Sequence, residues 1–290
     1  MSPSLRIERH SQRLFEDGFC IIPGAISEGT VAALARDLAP VFAATPPSIG
    51  PFYGSATRRF GSLLRRSRYA ASFVQSELIL AIVERALGPW CDRFQLNLTQ
   101  AIEIAPGAAI QPPHRDQDMW GGPKGEVEYL VNVMWPFTDY TVANGATRLW
   151  KGSHRRQEEI LLPEEAAIFA EMEPGSALMF LGSTLHGGSP NLSALPRRGM
   201  IISYCLGWLK PYENQWLAYP PAIARNFSPE LARLVGYFQH RPNLGNYEGR
   251  CPSILLQKDV PEFPGARDEL LPEQEALIAA YVAGELQAAA

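Results

Sequence analysis

The sequence predicts a mainly β protein with flanking helices, built on a double-stranded β-helix (jelly-roll, cupin-like) core. Three observations lead there. Apolar residues recur at helical spacing up to about residue 87, the period falls to two from about residue 93, and several short β-rich runs then follow between Gly, Pro and Asn clusters. Neither βαβ alternation nor an internal repeat interrupts that order.

The helical part comes first. Ser27 stands as a cap before Val31, Leu34, Ala35 and Leu38, and Pro40 follows soon after. A second amphipathic helix is expected from Ser76 to about Leu87, carrying Leu78, Ile79, Ile82 and Val83 and stopping before Gly88 and Pro89. Between them, 46-PPSIGPFYGS-55 reads as a loop, and 58-RRFGSLLRRSR-68 holds five arginines that either grip an anionic substrate group or form a solvated face, the second being favoured.

In 96-LNLTQAIEI-104, Leu96, Leu98, Ile102 and Ile104 share one face while Asn97, Thr99, Ala101 and Glu103 share the other. Further strands are expected at 127–137, 146–150, 177–182 and 198–209. The remainder, rich in Pro and aromatics, ends in a helix expected at 272–287 and is read as covering the barrel or a partner subunit, so that a homodimer stays open. A single domain over 1–290 is expected: N-terminal helices at about 27–87, the jelly roll at about 93–210, the covering segment and helix at about 211–290.

Hydrophobic residues make up 46% and charged residues 19% of the 290, a balance able to bury a core. A net charge of -4 and a pI of about 5.8 argue against nucleic acid or an anionic membrane as partner and leave a small molecule. The N-terminal MSPSLRIERHSQ has no apolar core and no long apolar stretch follows, from which a soluble, cytoplasmic protein is expected. Cys20, Cys91, Cys205 and Cys251 lie far apart with no C-x-x-C, suggesting neither a disulfide framework nor a thiolate zinc site.

Chemistry enters with the five histidines: His10, His114, His154, His186 and His240. In 111-QPPHRDQDMW-120, His114 and Asp116 stand two apart and on an extended strand end project to one side. Alone, an H-x-D reads more simply as an exposed His beside a loop carboxylate. His186, however, stands in 182-GSTLHGGSPNLS-193 directly after an apolar strand, where loops display functional groups. Two imidazoles and one carboxylate on one face of an ion leave three cis positions open, the pattern of non-haem iron(II) sites. 2-Oxoglutarate can chelate through two of them, with dioxygen at the third. Its far carboxylate calls for a guanidinium, and Arg197 and Arg198 are candidates. Arg198, twelve positions after His186 (198 - 186), is preferred, on the inference that Arg198, Met200, Ile202 and Tyr204 form the inward face.

The arrangement Q-x-x-H-R-D, then N-G-A-T-R-L-W-K-G-S-H at 144 to 154, then H-G-G-x-x-N-x-S with R-R-G following, resembles the phytanoyl-CoA dioxygenase family, and within it the branch containing fungal meroterpenoid dioxygenases. The resemblance covers roughly residues 13 to 210. It implies that His114, Asp116 and His186 bind Fe(II), that Gln111, Thr147 and Arg198 line the 2-oxoglutarate pocket, and that the G-S-H turn leaves His154 structural. Trp135 is expected beside the cosubstrate or in the core, Met119 and Trp120 against substrate or in the core, and His10 and His240 as surface or packing residues. The expected activity is oxidation of an unactivated C–H bond of a largely apolar metabolite. Rivals are an acyl-CoA 2-hydroxylase, a non-catalytic jelly-roll binding protein, a metal hydrolase or isomerase that turns over without oxygen, and a halogenase, against which the carboxylate of Asp116 stands.

Overall fold

The computed structural model describes residues 2–159 and 161–284. Among the described residues nine strands form two antiparallel sheets: β1 (Phe19–Ile22), β2 (Thr57–Phe60), β3 (Phe94–Ile104), β4 (Leu130–Pro136), β5 (Thr147–Trp150), β6 (Ala167–Phe169), β7 (Ala177–Leu181), β8 (His186–Gly188) and β9 (Arg197–Leu206). The larger sheet has the order β1-β7-β4-β9-β3-β2 and the smaller β6-β5-β8. Period-2 alternation splits the core accordingly. Val131, Val133, Met200, Ile202 and Tyr204 face the helices, whereas Met134, Phe180 and Ile201 face the smaller sheet together with Ile102 and Ile104.

All five strands read from the sequence are present, with ends shifted by a few residues. One face assignment fails. The β3–β9 register shifts between Leu96 and Leu98, so an extra residue, Asn97, is accommodated as a bulge and Leu96 joins the helix-side core while Ile102 and Ile104 face the cavity.

The helices depart from expectation at three points. Pro3–Asp17 is a helix the period analysis passed over, although Ser2 caps it through a bond from Leu5 N, Pro3 opens it, and Gly18 closes it at φ 87°. The helix beginning at Glu28 runs through Pro40 to Ala44. The extra turn buries Phe42, edge-on to Phe60 at 4.8 Å; burying such a side chain is worth roughly 1.5–3 kcal/mol, comparable with the cost of about 3 kcal/mol for an interior proline. Glu77–Leu87 appears as expected. The last helix spans Pro272–Val282, and the end of the 272–287 expectation lies outside the described residues. No helix among the described residues is long and apolar enough to cross a membrane.

The segment after β9 straps the larger sheet. Asn97 Oδ1 accepts from Tyr212 N (2.7 Å), and the Glu213 carboxylate accepts from Ser62 N (2.6 Å) and Thr99 N (3.0 Å), which ties this strap to β3 and to the arginine-rich segment.

Candidate active site and metal centre

After β3 the chain turns back and runs beside β8. His114 N donates to His186 O (2.9 Å), His186 N to His114 O (3.0 Å), and Gln111 N to Gly188 O (3.0 Å). Gly187 eases this approach, since a Cβ there would crowd Gln111 O at 3.0 Å and Pro112 O at 3.3 Å. The short ladder brings two motifs that are distant in sequence onto each other.

His114 Nδ1 lies 2.9 Å from Pro112 O and His186 Nδ1 3.0 Å from Thr184 O. A carbonyl oxygen only accepts, so each Nδ1 carries the proton and each Nε2 keeps its lone pair. His114 Nε2 lies 3.5 Å from Asp116 Oδ1 and His186 Nε2 3.6 Å from Asp116 Oδ2, and the three ligand atoms fall within 4.8 Å of one another, a cluster that a small inward movement of the side chains would close onto one ion. Asn132 Nδ2 donates to Asp116 Oδ2 at 3.0 Å. Burial works to raise the Asp116 carboxyl, but the facing His186, then His114 and Asn132, outweigh it and hold it at about 2. His186 is lowered to about 4 by burial and then by His114. Near neutral pH it is a neutral donor beside a carboxylate.

This cluster lies in a cavity of about 370 Å³ between the sheets. Gln111, Thr147 and Arg197 line the same cavity. Gln111 Oε1 accepts from Gly188 N (3.2 Å), and Thr147 is buried on β5. Arg197 is 2% exposed, sits 4.1 Å over the Tyr140 ring, donates through Nη1 to Gly145 O, and has a buried Nε with no partner. Burial presses its pKa down, and no carboxylate among the described residues pairs with it.

Arg198 is a correction to the sequence reading. Its register partner is Glu103, which it meets at 2.7 Å on the helix side of the sheet, stacked 5.0 Å over Phe42 and with its side chain 37% exposed. The expected inward face was one residue out of phase: Met200, Ile202 and Tyr204 pack against the helices, and Arg197 and Ile201 look into the cavity.

Trp135 is a core residue, edge-on to Phe73 at 5.1 Å. Met119 lines the cavity while Trp120 donates to Lys210 O (3.0 Å). His154 bonds Phe15 O at 3.0 Å and supplies no atom to the ligand cluster; His240 Nε2 accepts from Asp92 N, and His10 lies on the N-terminal helix. Sequence reasoning missed Asn132, Tyr53 and Tyr212, and it weighed Arg59 only within the run of five arginines, where a solvated face was favoured over a grip on an anionic substrate group. All four line the cavity. The one available signal was the Arg58-Arg59 pair: in any strand, adjacent residues point to opposite faces.

A family model described as Phytanoyl-CoA dioxygenase (PhyH) matches residues 14–199. The chain belongs to the phytanoyl-CoA dioxygenase (PhyH) family. The dioxygenase FrzG of Cladobotryum sp is 35% identical over 220 residues, which cover 70% of this chain and 69% of FrzG. The dioxygenase olcK of Penicillium canescens is 30% identical over 247 residues, covering 81% and 82%. Among solved structures, the α-ketoglutarate-dependent epimerase SnoN from nogalamycin biosynthesis superposes with a TM-score of 0.59 at 19% identity over 73% of this chain and 87% of SnoN. HygX from Streptomyces hygroscopicus, solved with nickel and 2-oxoglutarate, gives 0.57 at 16% over 71% and 89%. At such identities these two show the shared jelly-roll fold.

This PhyH-family protein is a non-haem iron, 2-oxoglutarate-dependent dioxygenase. Its own residues fit both groups. Two lone-pair imidazoles and one carboxylate are a donor set for ferrous iron with open positions, and the buried Arg197 guanidinium, which has no carboxylate partner among the described residues and an Nε with no partner at all, suits the far carboxylate of 2-oxoglutarate.

Proposed function

We propose that the chain acts as one oxygenase domain oxidising an unactivated C–H bond of a compact, largely apolar metabolite in natural-product biosynthesis. The observation that carries this is the cavity itself: the His114, Asp116 and His186 ligand atoms open into a space also bounded by Leu98, Met134, Phe180 and Ile201. In this reading the His114 and His186 imidazoles and the Asp116 carboxylate would hold the iron, while Asn132 fixes that carboxylate by donating to Asp116 Oδ2. Arg197, in place of Arg198, pairs with the distal carboxylate of 2-oxoglutarate, and Thr147 and Gln111 donate to its oxygens. Iron and 2-oxoglutarate, when bound, supply the activation of dioxygen coupled to oxidative decarboxylation to succinate. The protein orients the substrate C–H bond and excludes water, with Phe52 edge-on to His114 at 4.8 Å and the hydroxyls of Tyr53 and Tyr212 in contact across the mouth.

An acyl-CoA 2-hydroxylase is less well supported, because of the five arginines at 58–68 only Arg59 lines this cavity. Anaerobic addition of iron(II) and 2-oxoglutarate should produce a visible metal-to-ligand charge-transfer band, and admission of air should consume oxygen and form succinate. Asp116→Ala is expected to abolish the band and lower turnover by about 10⁴-fold, the scale on which a group acting within one catalytic unit is lost. A variant that keeps wild-type turnover would reject the ligand set. Absence of the band and of turnover with any substrate would reject the oxygenase reading.

A further inference from the structure

Resting on that reading, we propose that Tyr140 is a positioning residue: the face of its ring holds the Arg197 guanidinium ready for the distal carboxylate of 2-oxoglutarate. Both side chains are buried, Tyr140 at 1% and Arg197 at 2% exposed, and the guanidinium carbon lies 4.1 Å from the ring centre. Arg197 meets no carboxylate among the described residues; its Nη1 donates to Gly145 O, and its Nε is buried with no partner. An acid beside it would neutralise the cation and occupy its fork. A ring face does neither, because it opposes the positive charge through its π electrons and uses none of the N–H donors in the guanidinium plane. With Nη1 anchored, the Nε edge of the fork is left for carboxylate oxygens.

The surrounding chain is built around this contact. Tyr140 is fixed by reciprocal backbone bonds with Met172: its N donates to Met172 O at 2.9 Å, and its O accepts from Met172 N at 3.1 Å. Thr141 and Asn144 then cap one another, Asn144 Oδ1 accepting from Thr141 N (2.9 Å) and Thr141 Oγ1 from Asn144 N (3.3 Å). Gly145 follows at φ 96°, in the left-handed region open to glycine, and its carbonyl accepts from Arg197. Gly199 stands on the same face of β9 as Arg197. A Cβ there would overlap Tyr140 Oη and lie 2.6 Å from Trp135 O. Asn144, Gly145 and Gly199 belong to the sequence motifs yet are no ligands, and together they seat one arginine.

An arginine on its long stem loses rotamer freedom when a carboxylate arrives, and a buried cation is disfavoured without a compensating neighbour. The ring meets both costs before the cosubstrate enters, which is pre-organisation. Its effect is confined to the end of the cosubstrate that Arg197 meets. The keto acid end gains nothing from Tyr140.

The test titrates anaerobic, iron(II)-loaded protein with 2-oxoglutarate and with 2-oxopentanoate, which keeps the keto acid end and lacks the distal carboxylate, and follows the visible charge-transfer band. Wild-type protein should bind 2-oxoglutarate about 10²-fold more tightly than 2-oxopentanoate. Tyr140→Leu and Tyr140→Met, two apolar replacements without a π face, are expected to lose about tenfold in 2-oxoglutarate affinity while 2-oxopentanoate stays within about threefold of wild type. Tyr140→Phe keeps the face, drops the unpartnered hydroxyl and should retain the wild-type preference. Either apolar variant keeping that preference overturns the proposal, as does Tyr140→Phe losing as much as Tyr140→Leu. A parallel loss for both keto acids also overturns it, by making Tyr140 a packing residue alone, and so does equal affinity for the two in wild-type protein. In each of these cases the wild-type band stands, and the oxygenase reading with it; absence of any band with 2-oxoglutarate in wild-type protein would remove both.

Discussion

At the metal end of the cavity, side chains stand on or beside paired strands and hydrogen-bond one another. At the mouth they reach in from a loop, an edge strand and the strap after β9, and meet through aromatic contacts and a single pair of tyrosine hydroxyls. His114 and His186 are joined by reciprocal backbone bonds, and Asp116 is held by Asn132 of the fully buried β4. Phe52, Tyr53 and Tyr212, by contrast, touch His114, Arg59 and each other from segments outside the strands. The difference suits the two tasks of the proposed function: an inner end built to hold a metal and cosubstrate in a narrow geometry, and an outer end free to adapt to a substrate.

The largest expected effect divides two adjacent arginines. Arg197→Ala should weaken 2-oxoglutarate binding, read from the charge-transfer band under nitrogen, by about 10²-fold or more, as when one partner of a buried charge pair is truncated. Arg198→Ala should leave that affinity within about threefold and reduce stability by about 1 kcal/mol or less, since its bridge is partly exposed and Glu103 keeps Arg58. The reverse outcome would move the cosubstrate pocket to the helix side of β9.

That pair also shows what the sequence could convey. The strands, the H-x-D and the His after β7 were legible because a repeating period and fixed motif spacing are local properties. Which of Arg197 and Arg198 faces inward is a matter of phase, set by packing of Met200, Ile202 and Tyr204 against helices that lie far away in sequence. The bulge at Asn97 was invisible for a similar reason, since the alternation of Leu96, Leu98, Ile102 and Ile104 reads as unbroken. Tyr53 and Tyr212 are joined only by tertiary structure, and Asn132 sits in an apolar run where a buried amide looks like an interruption until its partner Asp116 is known.

A smaller effect should sharpen the contrast between the two ends. Asn132→Leu removes the bond to Asp116 Oδ2 and is expected to lower metal affinity by about 10–100-fold, the usual scale for a group that orients a ligand. Titration of the metal-free variant with manganese(II), followed by electron paramagnetic resonance, reads this without turnover. Tyr212→Phe, at the mouth, should leave the same titration unchanged. If the Tyr212 variant lost metal affinity and the Asn132 variant kept it, the mouth would be part of the metal scaffold.

The smallest effect concerns the wall behind His186. Glu128 accepts from Ser183 N (3.2 Å) and Ser183 Oγ (2.5 Å), bracing the turn between β7 and β8. Burial pushes its carboxyl from the ordinary 4.5 up to about 7, against the pull of the Ser183 bonds. Between these two values the folded chain retains a proton that the unfolded chain releases, so stability falls as pH rises from about 4.5 to about 7 and the penalty is fully present above. Glu128→Gln keeps an oxygen for Ser183 and carries no charge. Its melting temperature should gain on wild type between pH 5 and pH 8 by the equivalent of about 1–2 kcal/mol, discounted because the side chain is half-buried and solvent screens it. Parallel melting curves across that range would mean that water reaches the carboxylate, and that the metal end is less enclosed on this side than its hydrogen bonds imply.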